Sequence, residues 1–534
     1  MARKRSQTAP PARPGSPARS SGLVEKRPGL LALGVAGLAL LLYLFTLAPG
    51  LTWANFGADG GDLLAAAASN GVPHPTSYPL YTLLLQGWLA LLGVLAPASN
   101  VAWRGNLLSA VSAAASVGIT VRLAHGLIRE RAWAWLWAAQ AGLAWAVTPL
   151  LWGQALITEV YAFHVLLLTF HAWVLLAYRS AIPWRRPLLL GISLGLGLAH
   201  HLTFVLIAPA TLYWLWSEEG SPLRRLRFWL WMGVGALLPL LLYLRIPLVA
   251  ARRPPAPVNW GYSQGFSGLW WLVSGEAYRR YLFAIPRSAW LGQVSQWALV
   301  TSLQYTPVGL GLALIGLNVL DQERPRLRTW GLLWILPVSV YTMGYSTFDS
   351  QVYLLAVAWM MALWLAVGGP ALVEWLAQRL PQRSSLLERG IPGLLLLGLL
   401  ILAGSRLPGI SLRGDREAQA FVEGVAQVLE PGSLVISSAD AETFALWYGA
   451  WASGEILEAA PGTALVNAAL YQFDWYPRLL ADLYPDLPGA GQTPGEVLLR
   501  NQGRRPIFFA EKLPLVPLEQ LQPAGPIWRY VPEP

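Results

Sequence analysis

The 534-residue chain contains no cysteine. That excludes a disulfide framework, a thiolate metal site and redox chemistry by Cys, and it leaves the compartment to be read from topology. Charge is scarce as well. Asp, Glu, Lys and Arg make up 12% of the residues, whereas hydrophobic residues make up 55% and the mean hydropathy is +0.45. Soluble domains carry about 25% charged residues, so this balance excludes a soluble globular class and makes the bilayer the main solvent. Lysine is nearly absent, and the net charge of +10 is almost wholly arginine. These arginines lie between apolar runs, where they direct topology rather than nucleic-acid binding. There is no His-Glu-x-x-His motif and no visible internal repeat of the kind transporters carry.

What is present is a series of apolar segments. Residues 1–28, basic and rich in Pro, Ser and Ala, read as a disordered cytoplasmic tail. The run "GLLALGVAGLALLLYLFTLAPGL", 29–51, has the ~20 apolar residues of a membrane span and is too long for a signal-peptide core, so it reads as an uncleaved anchor. Later runs begin near 104, 133, 160, 187, 203, 228, 297, 329, 351 and 390. Between them lie five Arg-bearing loops: "IRERAW", "YRSAIPWRRP", "SEEGSPLRRLRFW", "DQERPRLRTW" and "EWLAQRLPQRSSLLERG". Placing all five inside makes residues 77–97 a helix lying at the outer surface, and breaks the run 187–216 at "AHH", 199–201.

The expected architecture is an α-helical polytopic membrane protein with eleven crossings, the N-terminus cytoplasmic and the C-terminus extracytoplasmic. The transmembrane domain covers 29–404, with external loops 50–103 and 245–296, and a small extracytoplasmic α/β domain covers 405–534. In that last part, "GSLVISSADAETFALWYGAW" reads as a strand followed by a helix and "RRPIFFAEKLPL" as another strand.

This parity gathers the unusual polar residues on the external side: Asp59, Asp62 and His74; Glu159 and Tyr161; His200 and His201; Asp349; and Arg245, Arg252, Arg253, Arg279, Arg280 and Arg287 of the long loop. Asp59 precedes a Gly-Gly pair that lets a backbone approach closely, and a loop carboxylate against an apolar wall suits a general base. Asp62 reads either as its partner or as the N-cap of a helix ending at Gly71. His74, held between Pro73 and Pro75, reads either as structural or as a hydrogen-bonding group for a substrate. Glu159 sits at the end of an apolar helix, where an ionisable side chain is a site candidate by default. His200 and His201 lack the carboxylate partners of a metal site. The external Arg read either as charges that a long loop carries across regardless or as an anion-binding fork.

The run "FGADGGDLLAAAASNGVPHPTSYPLYTLL", 56–84, resembles the signature of the protein O-mannosyltransferase-like membrane family, an Asp-x-Gly-Glu-type element followed by a His-Pro-Pro-Gly-x-Pro-Leu-Tyr-type element. Further matches follow in order: "WRGNLLSA", "LLWGQALITEVYAFH", "GLGLAHHLTFVLIAP", "YLRIPLVAARRPPAPVNWG", "DAETFALWYGAW" and "FDWYPRLL". In this chain Asp62 replaces the Glu of the pattern, and "HPTSYPLY" lacks its second Pro and its Gly. The resemblance implies the GT-C class of glycosyltransferases, in which a sugar, here mannose, passes from a polyprenyl-phosphate donor to a hydroxyl on the outer face of the plasma (inner) membrane. The implied acceptor is protein Ser/Thr or a glycan, with no nucleic acid involved. Carried over, Asp59 and Asp62 occupy the acidic positions of the first motif, and Glu159 and His201 fall in the other recurrent motifs. Such chemistry needs a carboxylate to take the hydroxyl proton, and an Arg or a divalent metal against the leaving phosphate.

Three other classes compete. A transporter should carry charges deep in several helices and a repeat. An aspartyl intramembrane protease needs Gly where Asp59 stands in "DGGD". A non-catalytic scaffold keeps the fold without the chemistry.

Overall fold

The computed structural model describes residues 28–262 and 265–532. The expected basic tail lies outside the described residues. Among the described residues five helices are long and apolar enough to cross a membrane: Pro28–Thr46, Val101–Ile128, Leu226–Ala250, Ser350–Arg379 and Pro381–Ile410. A sixth span arises if Arg287–Leu303 and Thr306–Glu323, bent by 98° at their junction, are one broken crossing. The remaining expected crossings fall on shorter or less apolar helices, among them Ala134–Ala146, Val160–Leu176, Arg185–His200 and Pro325–Gly344. The segment expected at the outer surface forms a helix over Pro79–Leu95, and the run expected to break at "AHH" ends its helix at His200.

Burial sorts these helices. Ser350–Arg379 is the centre of the bundle, with 89% of its apolar window buried, whereas only 6% of the window in Pro381–Ile410 is buried, leaving that helix's leucines for lipid. Val101–Ile128 is rich in Ala, Ser and Gly and packs against Pro28–Thr46, Ala134–Ala146 and Val160–Leu176. Its start is fixed by Asn100, whose side chain accepts from the backbone N–H of Ala102 at 2.8 Å and Trp103 at 3.3 Å.

The five Arg loops meet at one end of the bundle. Arg131 of the first pairs with Glu323 of the fourth at 2.5 Å and with Glu374 of the fifth; Arg186 of the second pairs with Glu218 of the third at 2.5 Å, and Arg326 of the fourth reaches the same carboxylate at 3.7 Å. The long loop begins later than expected. Its first arginine, Arg245, belongs to the helical run Leu226–Ala250, because the stretch from Ala236 to Leu244 carries the apolar pattern up to it without a charge. That loop is not loose: Val72 and Asn259 form a parallel bridge, and short helices span Phe266–Val273 and Glu276–Tyr281.

The last long helix runs to Ile410, past the boundary expected at 404. Beyond it stands a five-stranded sheet in the order β2-β1-β3-β5-β4, with β1 (Leu434–Ser437), β2 (Ala464–Asn467), β3 (Ile507–Phe509), β4 (Leu521–Ala524) and β5 (Ile527–Tyr530). The pairs of β1 with β2 and β3 are parallel, and those of β5 with β3 and β4 antiparallel. Strands β1 to β3 are wholly buried, as continuous apolar runs such as "LVIS" and "IFF" require. The helix Asp440–Trp451 joins this domain to the bundle. The Tyr448 hydroxyl donates to Asn100 Oδ1 at 3.1 Å, and Trp53 Nε1 donates to the Ala441 carbonyl at 3.2 Å.

Candidate functional site

The helix Gly60–Ala68 starts earlier than its apolar run suggests, and two glycines explain why. A Cβ on Gly60 would come within 2.9 Å of the Thr158 carbonyl oxygen, and one on Gly61 within 2.3 Å of the Phe444 carbonyl oxygen. Only glycine permits that approach. Asp59 therefore takes the N-cap position, without using its side chain as a cap, and Asp62 falls in the first turn. The capping role expected as one reading of Asp62 is thereby corrected. Its carboxylate is fully buried: Oδ2 accepts from the His74 backbone N–H at 2.9 Å and from His74 Nδ1 at 2.7 Å, and Oδ1 accepts from Trp260 Nε1 at 3.1 Å. Phe444 stacks over the imidazole, and Trp260 meets it edge-on.

On its other side His74 Nε2 lies 3.5 Å from Asp59 Oδ2 and 3.2 Å from the Tyr78 hydroxyl. The three residues form a line, Asp62–His74–Asp59, buried at one end and open at the other, where the Asp59 side chain is 38% exposed. Burial pulls the imidazole towards its neutral form. The charge of Asp59, the hydrogen bond to Asp62 and the charges of Asp62 and Glu159 outweigh it and raise His74 to about 10. Burial raises Asp59 to about 6; the His74 cation opposes this, and Asp440, Asp349 and Asp62 add to it. At neutral pH His74 is thus an imidazolium beside an ionised Asp59.

Asp59 opens into a cavity of about 1030 Å³ whose wall draws on the first loop, the long loop, Tyr341 to Asp349, and the C-terminal domain through Asp440. Tyr161 and His201 also line it. The Tyr161 hydroxyl donates to Asp349 Oδ2 at 3.0 Å, and His201 Nδ1 faces the Thr203 hydroxyl at 2.8 Å. His200 is set back from this cavity, its Nε2 donating to the Val160 carbonyl at 3.0 Å. Glu159 is the N-cap of Val160–Leu176 and accepts from the Val160 N–H at 3.2 Å, which gives it a structural use away from the cavity wall.

The arginines expected to bind an anion are placed elsewhere. Arg245 donates to the Gly71 carbonyl at 2.7 Å and to Asn70 Oδ1 at 2.8 Å, and Arg252 to the Asn70 carbonyl at 3.3 Å. Both brace the turn that carries His74. Arg253 pairs with Asp482 at 3.6 Å. Among the described residues Arg279 is the arginine on the cavity wall, with one nitrogen 2.6 Å from Glu276. The divalent metal does not fit: Asp62 is committed to His74 and Trp260, and the described residues hold no group of three or more His, Asp or Glu placed to ligate an ion. Sequence reading did not single out Tyr78, Trp260, Tyr278, Phe444 or Asp440. Four of the five lie within stretches quoted above, but nothing in spacing told them from packing residues.

Residues 59–222 match the family model described as Protein O-mannosyl-transferase TMEM260 N-terminal domain. The mouse (Mus musculus) Protein O-mannosyl-transferase TMEM260 is 30% identical over 256 residues, covering 46% of this chain and 34% of the relative. The chain therefore spans about a third of the length of that relative. Among solved structures, ArnT from Cupriavidus metallidurans bound to undecaprenyl phosphate superposes with a TM-score of 0.55 at 13% identity, covering 89% of this chain and 92% of that one. Its apo state gives a TM-score of 0.52 at 13% identity, with 93% and 96% covered. The match extends over bundle and C-terminal domain together, so the chain is a multi-pass membrane protein of GT-C-like architecture. Residues 59–222, which hold Asp59, Asp62, His74, Glu159 and His201, are thus similar to the TMEM260 N-terminal domain, and the chain as a whole has a fold like that of ArnT.

Proposed function

We propose that the chain is a membrane glycosyltransferase that moves a sugar, mannose, from a polyprenyl-phosphate donor to a hydroxyl acceptor, protein Ser/Thr or a glycan, on the extracytoplasmic face of the plasma membrane. The observation that carries this reading is the Asp62–His74–Asp59 line ending in a cavity at the outer end of an apolar bundle. The relatives support it: the mouse protein is named for O-mannosyl transfer, and the ArnT structure holds undecaprenyl phosphate. A transporter reading has no observation of its own in its favour.

Asp59 takes the proton of the acceptor hydroxyl as its oxygen bonds to the anomeric carbon of the sugar. The bond from that carbon to the phosphate oxygen breaks, and its electron pair leaves with the polyprenyl phosphate, against the positive charge of Arg279. His74 holds the Asp59 carboxylate in place, and Asp62 fixes the imidazole by occupying Nδ1. Arg245 and Arg252 act at one remove, by bracing the 70–72 turn.

The test is incubation of the purified full-length chain with polyprenyl-phosphate mannose and a Ser/Thr peptide or oligosaccharide, read by mass spectrometry. A hexose added to the acceptor by the natural protein and not by Asp59→Asn is the expected result. No transfer from any polyprenyl-phosphate sugar sinks the reading.

A further inference from the structure

The C-terminal domain does more than cover the cavity. Asp440, the first residue of its helix Asp440–Trp451, is exposed, lines the cavity with Asp59 and Asp349, and is engaged in no hydrogen bond or ion pair among the described residues. Its position is nonetheless well fixed. The next residue, Ala441, accepts the Trp53 indole N–H at 3.2 Å; the two residues before it donate their backbone N–H groups to Glu511 Oε1 at 2.7 Å each; and Phe444, one turn on, abuts Gly61. A carboxylate held on a rigid element and open to a large cavity, attracted by the His74 charge but with no hydrogen-bond partner among the described residues, is poised to accept hydrogen bonds from a ligand.

A bland role competes, since an acidic residue in the first turn stabilises a helix through the dipole. Glu442 already serves there, in the same first turn and off the cavity wall. The composition of the wall indicates the ligand. Tyr278, Trp53 and Phe56 line the same cavity as Asp440, and carboxylates and aromatic rings together suit the hydroxyls and C–H faces of a pyranose. The cationic Arg279 supplies the contrasting chemistry for a phosphate on the same wall.

Building on the glycosyltransferase reading, we propose that Asp440 is a specificity-determining residue, its carboxylate accepting hydrogen bonds from the hydroxyls of the donor sugar. The appended domain thereby reads the sugar, and the external loops of the membrane domain carry the base and the phosphate contact.

The experiment compares binding of two probes, undecaprenyl phosphate and undecaprenyl-phosphate mannose, to the full-length chain in detergent. Asp440→Asn and Asp440→Ala should lose about tenfold or more in affinity for the mannosyl lipid, the loss a hydrogen bond to a charged group brings, and keep the natural affinity for the bare lipid phosphate. Glu442→Gln, which removes a helix-terminal charge off the wall, should change neither. Equal losses for the two lipids, which general unfolding would also give, or no loss for either, overturn the role of Asp440. Natural protein that binds neither lipid overturns the donor reading itself, so the two failures are distinguishable.

Discussion

At the scale of the residue, the paired carboxylates have opposite tasks. Asp59 faces the cavity beside the His74 cation, so Asp59→Asn should still fold, with a lowered melting temperature from the lost pairing, while transfer falls ~10²- to 10⁴-fold, the usual contribution of a general base. Asp62 is a buried partner of a cation. Asp62→Asn leaves His74 poorly compensated and should cost about 3–5 kcal/mol, visible as a large drop in melting temperature along with lost activity. Capping alone, the other role its position in sequence allowed, costs only ~1 kcal/mol. The same geometry sets a pH profile. Transfer should rise as pH passes through about 6, where Asp59 ionises, and fall as pH passes through about 10, where His74 loses its proton. The His74 cation likewise adds stability that is fully present below 6.5, its ordinary value, and is lost as pH rises through about 10. A rate that stays flat from pH 5 to 8 would count against Asp59 as the base. Asp59, Asp62 and His74 were legible because they sit within one short run of sequence. Arg279 was not separable from five other external arginines, since charge alone does not say which way a side chain faces.

At the scale of the element, the junction between Gly60–Ala68 and Asp440–Trp451 is an exacting contact near the site. A methyl group at position 61 has no room beside the Phe444 carbonyl, so Gly61→Ala should force the two helices apart, costing about 1–3 kcal/mol and lowering transfer, with melting and turnover measured on the same preparation. Unchanged melting and turnover would show that the helices slide apart freely. The strand at 434–437, the helix after it and the strand at 507–509 were readable from their apolar runs and breakers. The start of the Gly60–Ala68 helix was not, because an apolar pattern marks where side chains begin to pack, and these two glycines present backbone instead. The bend between Arg287–Leu303 and Thr306–Glu323 was equally silent, since hydropathy runs on across a break in direction.

At the scale of the whole molecule, the five Arg loops share one end of the bundle and the cavity lies towards the other. We propose from the positive-inside rule that the loops are cytoplasmic and the site is outside. A reporter fused near residue 130 should read cytoplasmic and one at residue 534 external; an external signal at 130 would reverse the assignment of the Pro79–Leu95 helix as non-crossing. The general class followed from composition and from arginine placement along the chain. The joining of the two domains did not, because it depends on contacts such as Tyr448 with Asn100, which no local pattern announces.

The contact of Gly61 with Phe444 also has a consequence in time. The two residues are 444 − 61 = 383 positions apart. At a synthesis rate of about 5–20 residues per second, roughly 20–80 s pass between the making of the first loop and the arrival of the helix that packs on it. During that interval the bundle can insert and assemble while Asp62 and His74 lack the Phe444 side of their enclosure. A ribosome that stops before residue 440 leaves a well-anchored membrane protein with an unfinished site, so activity reports completion of the whole chain.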